Sequence, residues 1–135
     1  MLIKDPPRNL VINLKWFTET MTGYRKSSKI VLFPIHLNLD KFCIHEIETL
    51  DQEYLQRYEE SNTDSEWEPV FKYELYGVVT HSGSMSSGHY IAYVSYKYKD
   101  HRQWHYFSDW AHWSATEQQV LSSEAYLLFY RWIFV

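Results

Sequence analysis

The sequence predicts an α+β domain, mainly an antiparallel β-sheet with one or two short helices at its periphery. Three observations predict it. Two-residue alternation of apolar and polar side chains recurs along most of the chain, while helical spacing is confined to two stretches. Aromatic residues reach 19%, with 12 Tyr, 7 Phe and 6 Trp, a mix that suits pleated surfaces and broad contact faces. Only 4 Gly and 4 Pro occur among 135 residues, which argues against disorder and for one domain, or part of one. A chain of this length buries about two-thirds of its unfolded surface, enough for a real core.

Taken in order, Pro6-Pro7 ends a short extended lead-in, and Leu10 to Phe17 reads as a strand with Leu10, Ile12, Leu14 and Trp16 on one face. Thr18 to Ser28, with Gly23 and many small polar residues, reads as a loop or hairpin connection. Lys29 to Phe33 reads as a strand stopped by Pro34, which cannot donate to a ladder. Leu37 to Leu39 reads as a short extended piece. Ile44 to Pro69 shifts in composition, with nine acids against the single base Arg57. It reads as an acidic surface insertion over 44–69 whose first half has the spacing of a short amphipathic helix, through Ile44, Ile47, Tyr54, Leu55 and Tyr58.

The centre of the chain is Tyr73 to Tyr90. Tyr73, Leu75, Gly77 and Val79 alternate with Glu74, Tyr76, Val78 and Thr80, a strand pattern. His81 to Gly88 carries two glycines and four serines and reads as a loop. His89 to Tyr96 resumes a strand. Arg102 to Phe107 pairs with it across a turn at Lys99-Asp100-His101, and Ser108-Asp109 ends that strand. Thr116-Glu117-Gln118-Gln119 resembles a capping box opening a helix to about Leu121. Ala125 to Tyr130 reads as a buried strand, apolar on both faces.

Composition narrows the functions. A net charge of −4 supplies no electrostatic case for nucleic acid. One Cys excludes an intrachain disulfide and a cysteine-built zinc site, and fits a reducing, cytoplasmic or nuclear compartment. His101 and His105 do not share a face at their spacing, and no metal or other cofactor is implied. No signal-like segment opens the sequence and no apolar run reaches membrane-span length. The candidate chemistry sits at His89, where a flexible loop meets a rigid strand. Adjacent antiparallel strands bring Ser108 and Asp109 within reach of it, and either could orient one ring nitrogen while the other takes a proton.

The stretch Tyr73-x-Leu75-x-Gly77-Val78-x-x-His81-x-Gly83-x-x-x-x-Gly88-His89-Tyr90 resembles the histidine box of the ubiquitin-specific proteases. Pro7 to Phe17, Val31-x-Phe33-Pro34-x-x-Leu37-x-Leu39, Trp104-x-x-Phe107-Ser108-Asp109 and Ala125 to Tyr130 resemble further elements of that family, with Trp16 in place of its usual Arg. The likeness covers nearly the whole chain outside the acidic insertion, and corresponds to the C-terminal part of the family's catalytic domain. It implies the palm and fingers of a papain-like cysteine protease hand. It also implies hydrolysis of the isopeptide or peptide bond after the C-terminal glycine of ubiquitin, with ubiquitin and ubiquitinated proteins as partners. His89 then stands as general base, with Ser108 or Asp109 orienting it. His81, Ser82, Gly83, Ser84, Met85, Gly88 and Tyr90 stand at the tail of ubiquitin, although His81 also reads as a residue holding the loop.

The family's nucleophile segment and paired finger cysteines have no counterpart in the sequence. The order Cys43, His89, Asp109 imitates a triad, but Cys43 follows Leu39-Asp40-Lys41-Phe42, where the family has a non-catalytic segment, and it reads as a small buried hydrophobe. The serines at 82, 84, 86 and 87 lie outside any G-x-S-x-G turn. Two alternatives to a catalytic part therefore stand: an inactive ubiquitin-binding or scaffolding module, and an unrelated β-rich domain lacking a palm-like sheet beneath His89.

Overall fold

The computed structural model describes residues 2–27, 30–43, 71–84 and 86–133. The expected helix within 44–58, the rest of the acidic stretch and Met85 fall outside them. In chain order the elements are β1 (Asn9–Asn13), β2 (Phe17–Thr20), β3 (Gly23–Lys26), β4 (His36–Asn38), a 3₁₀ turn (Asp40–Phe42), β5 (Lys72–Gly83), β6 (Gly88–Tyr98), β7 (His101–Ser108), β8 (Ala111–Ala115), α1 (Glu117–Leu121) and β9 (Ala125–Trp132). Among the described residues, seven strands form one antiparallel sheet in the order β1-β9-β5-β6-β7-β8, with β4 on the β5 edge. β2 and β3 form a separate hairpin.

The sheet follows the residues that were expected to pair. β6 and β7 meet in register from Ala92↔Phe107 to Tyr98↔His101. Lys99 and Asp100 turn between them with φ of 46° and 66°. Two successive positive φ values give a two-residue loop whose twist matches that of the strands. α1 opens on the expected capping box: Thr116 Oγ1 accepts from Gln119 N at 3.1 Å, and Gln119 Oε1 accepts from Thr116 N at 2.9 Å. β9, buried along much of its length, lies between β1 and β5.

Two expected strands differ. Leu10 to Phe17 is not one strand, because β1 stops at Asn13 and β2 starts at Phe17. Between them Leu14 N still reaches the Tyr126 carbonyl at 2.9 Å, but the indole of Trp16 donates to the Ala125 carbonyl at 2.5 Å and Ser27 N donates to the Trp16 carbonyl, so Trp16 joins the start of the β2–β3 hairpin instead of continuing the ladder. Residues 30–33 form no strand, with Ile30 and Leu32 exposed. The segment is anchored instead by buried Phe33, by Tyr130 Oη donating to the Pro34 carbonyl at 2.7 Å, and by Leu75 N donating to the Ile35 carbonyl at 2.8 Å. β-branched residues favour a strand only when a neighbour completes it.

One apolar cluster unites these parts: Phe33, Leu39, Cys43, Phe71, Tyr73, Leu75, Val78, Trp104, Val120, Ala125, Leu128 and Tyr130. Residues on either side of the acidic stretch, Leu39 and Cys43 before it and Phe71 after it, meet in it. Phe71 N donates to Asp40 Oδ1 at 2.7 Å, and Leu39 N donates to the Phe71 carbonyl at 3.0 Å. The phenols of Tyr73 and Tyr130 are pushed up to about 12 by burial, Tyr73 also by Cys43. Folding therefore favours their neutral forms over the unfolded chain, where a tyrosine titrates near 10. Their contribution is complete below about pH 10 and lost as the pH rises from there towards 12. Urea titrations at pH 8 and 11 are expected to show a marked loss of stability at the higher pH, and Tyr130→Phe is expected to reduce that loss.

Candidate active site

His89 is the second residue of β6, and Ser108 is the last of β7. β6–β7 pairing is recorded from Ala92↔Phe107 inward, so the two side chains stand where these neighbouring strands approach their ends. His89 Nε2 lies 2.8 Å from Ser108 Oγ. Asp109 follows in the left-handed region at φ 46°, a conformation that Asp tolerates better than most residues. Its Oδ2 lies 4.0 Å from His89 Nδ1, in ion-pair range but beyond hydrogen-bond length. The three expected residues thus come together, with Ser108 and Asp109 at different nitrogens of one ring. The His89 side chain is 48% exposed, so the ring lies open on the sheet rather than sealed within it. Cavities of about 190 and 370 Å3 are lined by other residues.

This arrangement defines a proton path. A serine hydroxyl beside Nε2 can accept the Nε2–H, which selects the tautomer whose Nδ1 lone pair is free. That nitrogen can act as a base, and Asp109 Oδ2 faces it at 4.0 Å.

The loop expected at His81 to Gly88 is shorter than its composition suggests. His81, Ser82 and Gly83 belong to β5 and Gly88 to β6, in the register His81↔Tyr90, Ser82↔His89 and Gly83↔Gly88. The connection is Ser84 to Ser87, closed by Ser84 N donating to the Ser87 carbonyl at 3.2 Å and Ser87 N donating to Ser84 Oγ at 3.1 Å. Gly83 has φ 98°, and a Cβ there would lie 2.7 Å from the Ser87 carbonyl oxygen, so only glycine fits the corner.

Because successive strand residues face opposite ways, the register divides the residues expected at a ubiquitin tail. Ser82 shares the face of His89, while His81 and Tyr90 share the other. His81 is only 6% exposed, among the rings of Phe17 (5.5 Å), Tyr90 (4.6 Å) and Tyr126 (6.1 Å). It fits the role of holding the hairpin, and Tyr126 completes its surroundings without any signal in the local pattern. A Cβ on Gly88 would fall 1.8 Å from His81 Nε2. Gly88→Ala is accordingly expected to cost about 3 kcal/mol, the upper range for overpacking, read as a lowered urea midpoint.

Cys43 is buried, and its thiol is pushed up by burial and then by the charge of Asp40. A thiol so placed resists forming the nucleophilic thiolate. β8 was not anticipated. It pairs with β7 from Trp104↔Ala115 to Ser108↔Ala111, leaving Asp109-Trp110 as a two-residue turn beside the site. The alternation in Ala111-His112-Trp113-Ser114-Ala115 was its available signal.

The family described as "Ubiquitin carboxyl-terminal hydrolase" matches residues 1–130. The chain belongs to the ubiquitin carboxyl-terminal hydrolase family. Ubiquitin carboxyl-terminal hydrolase 16 of Danio rerio is 34% identical over 96% of this chain and 16% of its own length. Ubiquitin carboxyl-terminal hydrolase 8 of Saccharomyces cerevisiae is 32% identical over 92% of this chain and 24% of its own. Among solved structures, a SAGA Ubp8/Sgf11/Sus1/Sgf73 DUB module bound to ubiquitin aldehyde contains a chain that matches with TM-score 0.74 and 33% identity, over 99% of this chain and 26% of that one. The chain therefore spans only 16% to 26% of the length of these hydrolase relatives.

Proposed function

We propose that this chain is the general-base part of a cysteine-type deubiquitinase, cleaving isopeptide or peptide bonds at the C-terminal glycine of ubiquitin. The observation that carries the reading is His89 Nε2 at 2.8 Å from Ser108 Oγ, within the motif that resembles the family's histidine box. Ser108 orients the ring, and Nδ1 takes the proton of an attacking thiol and returns it to the leaving amine. Asp109 stabilises the ring while it carries the charge. The Ser82–Gly88 hairpin borders the tail of ubiquitin, where small residues let backbone approach Gly-Gly closely. Cys43, the only thiol of the sequence, does not serve as nucleophile, so the attacking cysteine is supplied by a segment other than this chain.

The test exchanges this chain for the corresponding part of the yeast hydrolase 8 relative and follows hydrolysis of a ubiquitin ester. Turnover that depends on His89 supports the reading. Ubiquitin binding without turnover in the chimera favours the second reading, an inactive ubiquitin-binding module, which the burial of Cys43 also suits. The chain alone is expected to bind ubiquitin without hydrolysing the ester. Turnover by the chain alone that vanishes in Cys43→Ala would overturn the assignment of the nucleophile.

A further inference from the structure

The turn between β7 and β8 contains a residue that the proton path does not use. Trp110 is 99% exposed, and among the described residues its ring stacks on nothing and donates no hydrogen bond. The other described tryptophans are all engaged. Trp16 donates to the Ala125 carbonyl, Trp104 is buried, Trp113 stacks on Tyr106 at 4.1 Å, and Trp132 stacks on Tyr73 at 6.4 Å. The turn is also fixed in place, since Ser108↔Ala111 pairing leaves only Asp109 and Trp110 between two strands. The Trp110 indole, held on a two-residue turn, supports no packing among the described residues.

Its position defines what it meets. Nε2 of His89 is occupied by Ser108, so proton exchange runs through Nδ1, the nitrogen that Asp109 faces at 4.0 Å. In the reaction proposed above, the amine that leaves collects its proton from that nitrogen as the carbon–nitrogen bond breaks. For an isopeptide this amine is the end of a lysine side chain, a four-carbon stem that becomes an ammonium in water after release. Asp109 faces the nitrogen that gives this proton, and Trp110 adjoins Asp109 in the same turn. We propose that the Asp109-Trp110 turn is the subsite for the lysine of the ubiquitinated protein, with the Trp110 ring covering the aliphatic stem and the Asp109 carboxylate facing the nitrogen. An aromatic face beside a carboxylate suits a stem that is apolar along its length and a nitrogen that is a neutral amide before cleavage and a cation after release. Trp110 is thus a specificity residue favouring isopeptide conjugates over linear peptide fusions. This assignment rests on the deubiquitinase reading.

The test measures binding to the whole chain by 1H–15N spectra, reading the Trp110 indole N–H and, separately, the Ser82–Gly88 hairpin. The probes are free ubiquitin, ubiquitin joined through its C-terminus to the lysine side chain of a short peptide, and the lysine peptide alone. The conjugate is expected to bind about five- to tenfold more tightly than free ubiquitin, the order of burying one or two methylenes of the lysine stem against the ring. Trp110→Ala is expected to erase that gain and leave free ubiquitin affinity unchanged, and Trp110→Phe to restore part of it. A gain that survives Trp110→Ala, or no gain while the hairpin still reports ubiquitin, overturns the subsite and leaves the deubiquitinase reading standing. If the hairpin does not respond to ubiquitin, that reading fails, and the lysine peptide decides. A shifted Trp110 indole signal then supports a lysine subsite, and an unmoved one overturns it.

Discussion

His89→Gln is expected to lower kcat for ubiquitin-ester hydrolysis by about a thousandfold in the chimera with the yeast relative, within the range that a positioned acid–base contributes. KM is expected to stay nearly constant, because the ring acts on the proton in transit and not on the globular part of ubiquitin. Half of the His89 side chain is exposed, so the substitution leaves no cavity and the fold is expected to keep its unfolding midpoint. Ser108→Ala should cost far less, roughly tenfold, since it removes one neutral hydrogen bond at 2.8 Å from Nε2 and no charge. The ordering of the two variants is the informative result. Equal losses would mean that Ser108 does more than orient the ring. A His89→Gln chimera with undiminished kcat would end the general-base assignment.

Glu74→Gln is expected to destabilise the chain by about 3 kcal/mol, the usual cost of removing one partner from a buried ionic cluster. The Glu74 side chain is 5% exposed and is reached from four other strands: directly by Arg102, by Lys97 at 3.4 Å, by Arg131 at 3.7 Å and by His36 at 3.9 Å. Desolvation, followed by the charges of Lys72, Arg102 and Lys97, lowers the pKa of His36, which keeps its ring neutral beside the cluster. One carboxylate therefore ties β4, β6, β7 and β9 to β5, and without it the guanidinium of Arg102, itself only 16% exposed, is left without its closest counter-charge. The loss should appear as a lower urea midpoint at unchanged slope. It should also persist at high salt, which screens surface pairs much more than buried ones. A loss below 1 kcal/mol, or one abolished by salt, would show that the cluster behaves as an ordinary surface pair.

Neither the Glu74 cluster nor the His81 cage was readable in advance. Each gathers residues far apart in the chain: Glu74 meets Arg131, and His81 meets Phe17 and Tyr126. Glu74 occupied a polar position of an alternating strand and gave no sign of burial. The composition of His81 to Gly88 overstated the loop, because two glycines that look like loop residues are required by a corner at Gly83 and by close packing at Gly88. Lys29 to Phe33 had the composition of a strand but found no partner, and the indole of Trp16 divided another.

Where the information was local, the residues were decisive. The β6–β7 hairpin follows from alternation on either side of Lys99-Asp100, and α1 follows from Thr116 and Gln119 satisfying each other's backbone donors. The meeting of His89 with Ser108 was anticipated for the same reason: neighbours in an antiparallel pair are set by the pattern along the chain. Alternation and capping act between residues a few positions apart, so they are written into the order of amino acids. Strand order, the burial of Glu74 and His81, the sides of the His89 ring that Ser108 and Asp109 take, and the exposure of Trp110 depend on which distant segments pack together. Only the assembled sheet settles them, because desolvation and close contact are properties of the whole packing and not of any one stretch.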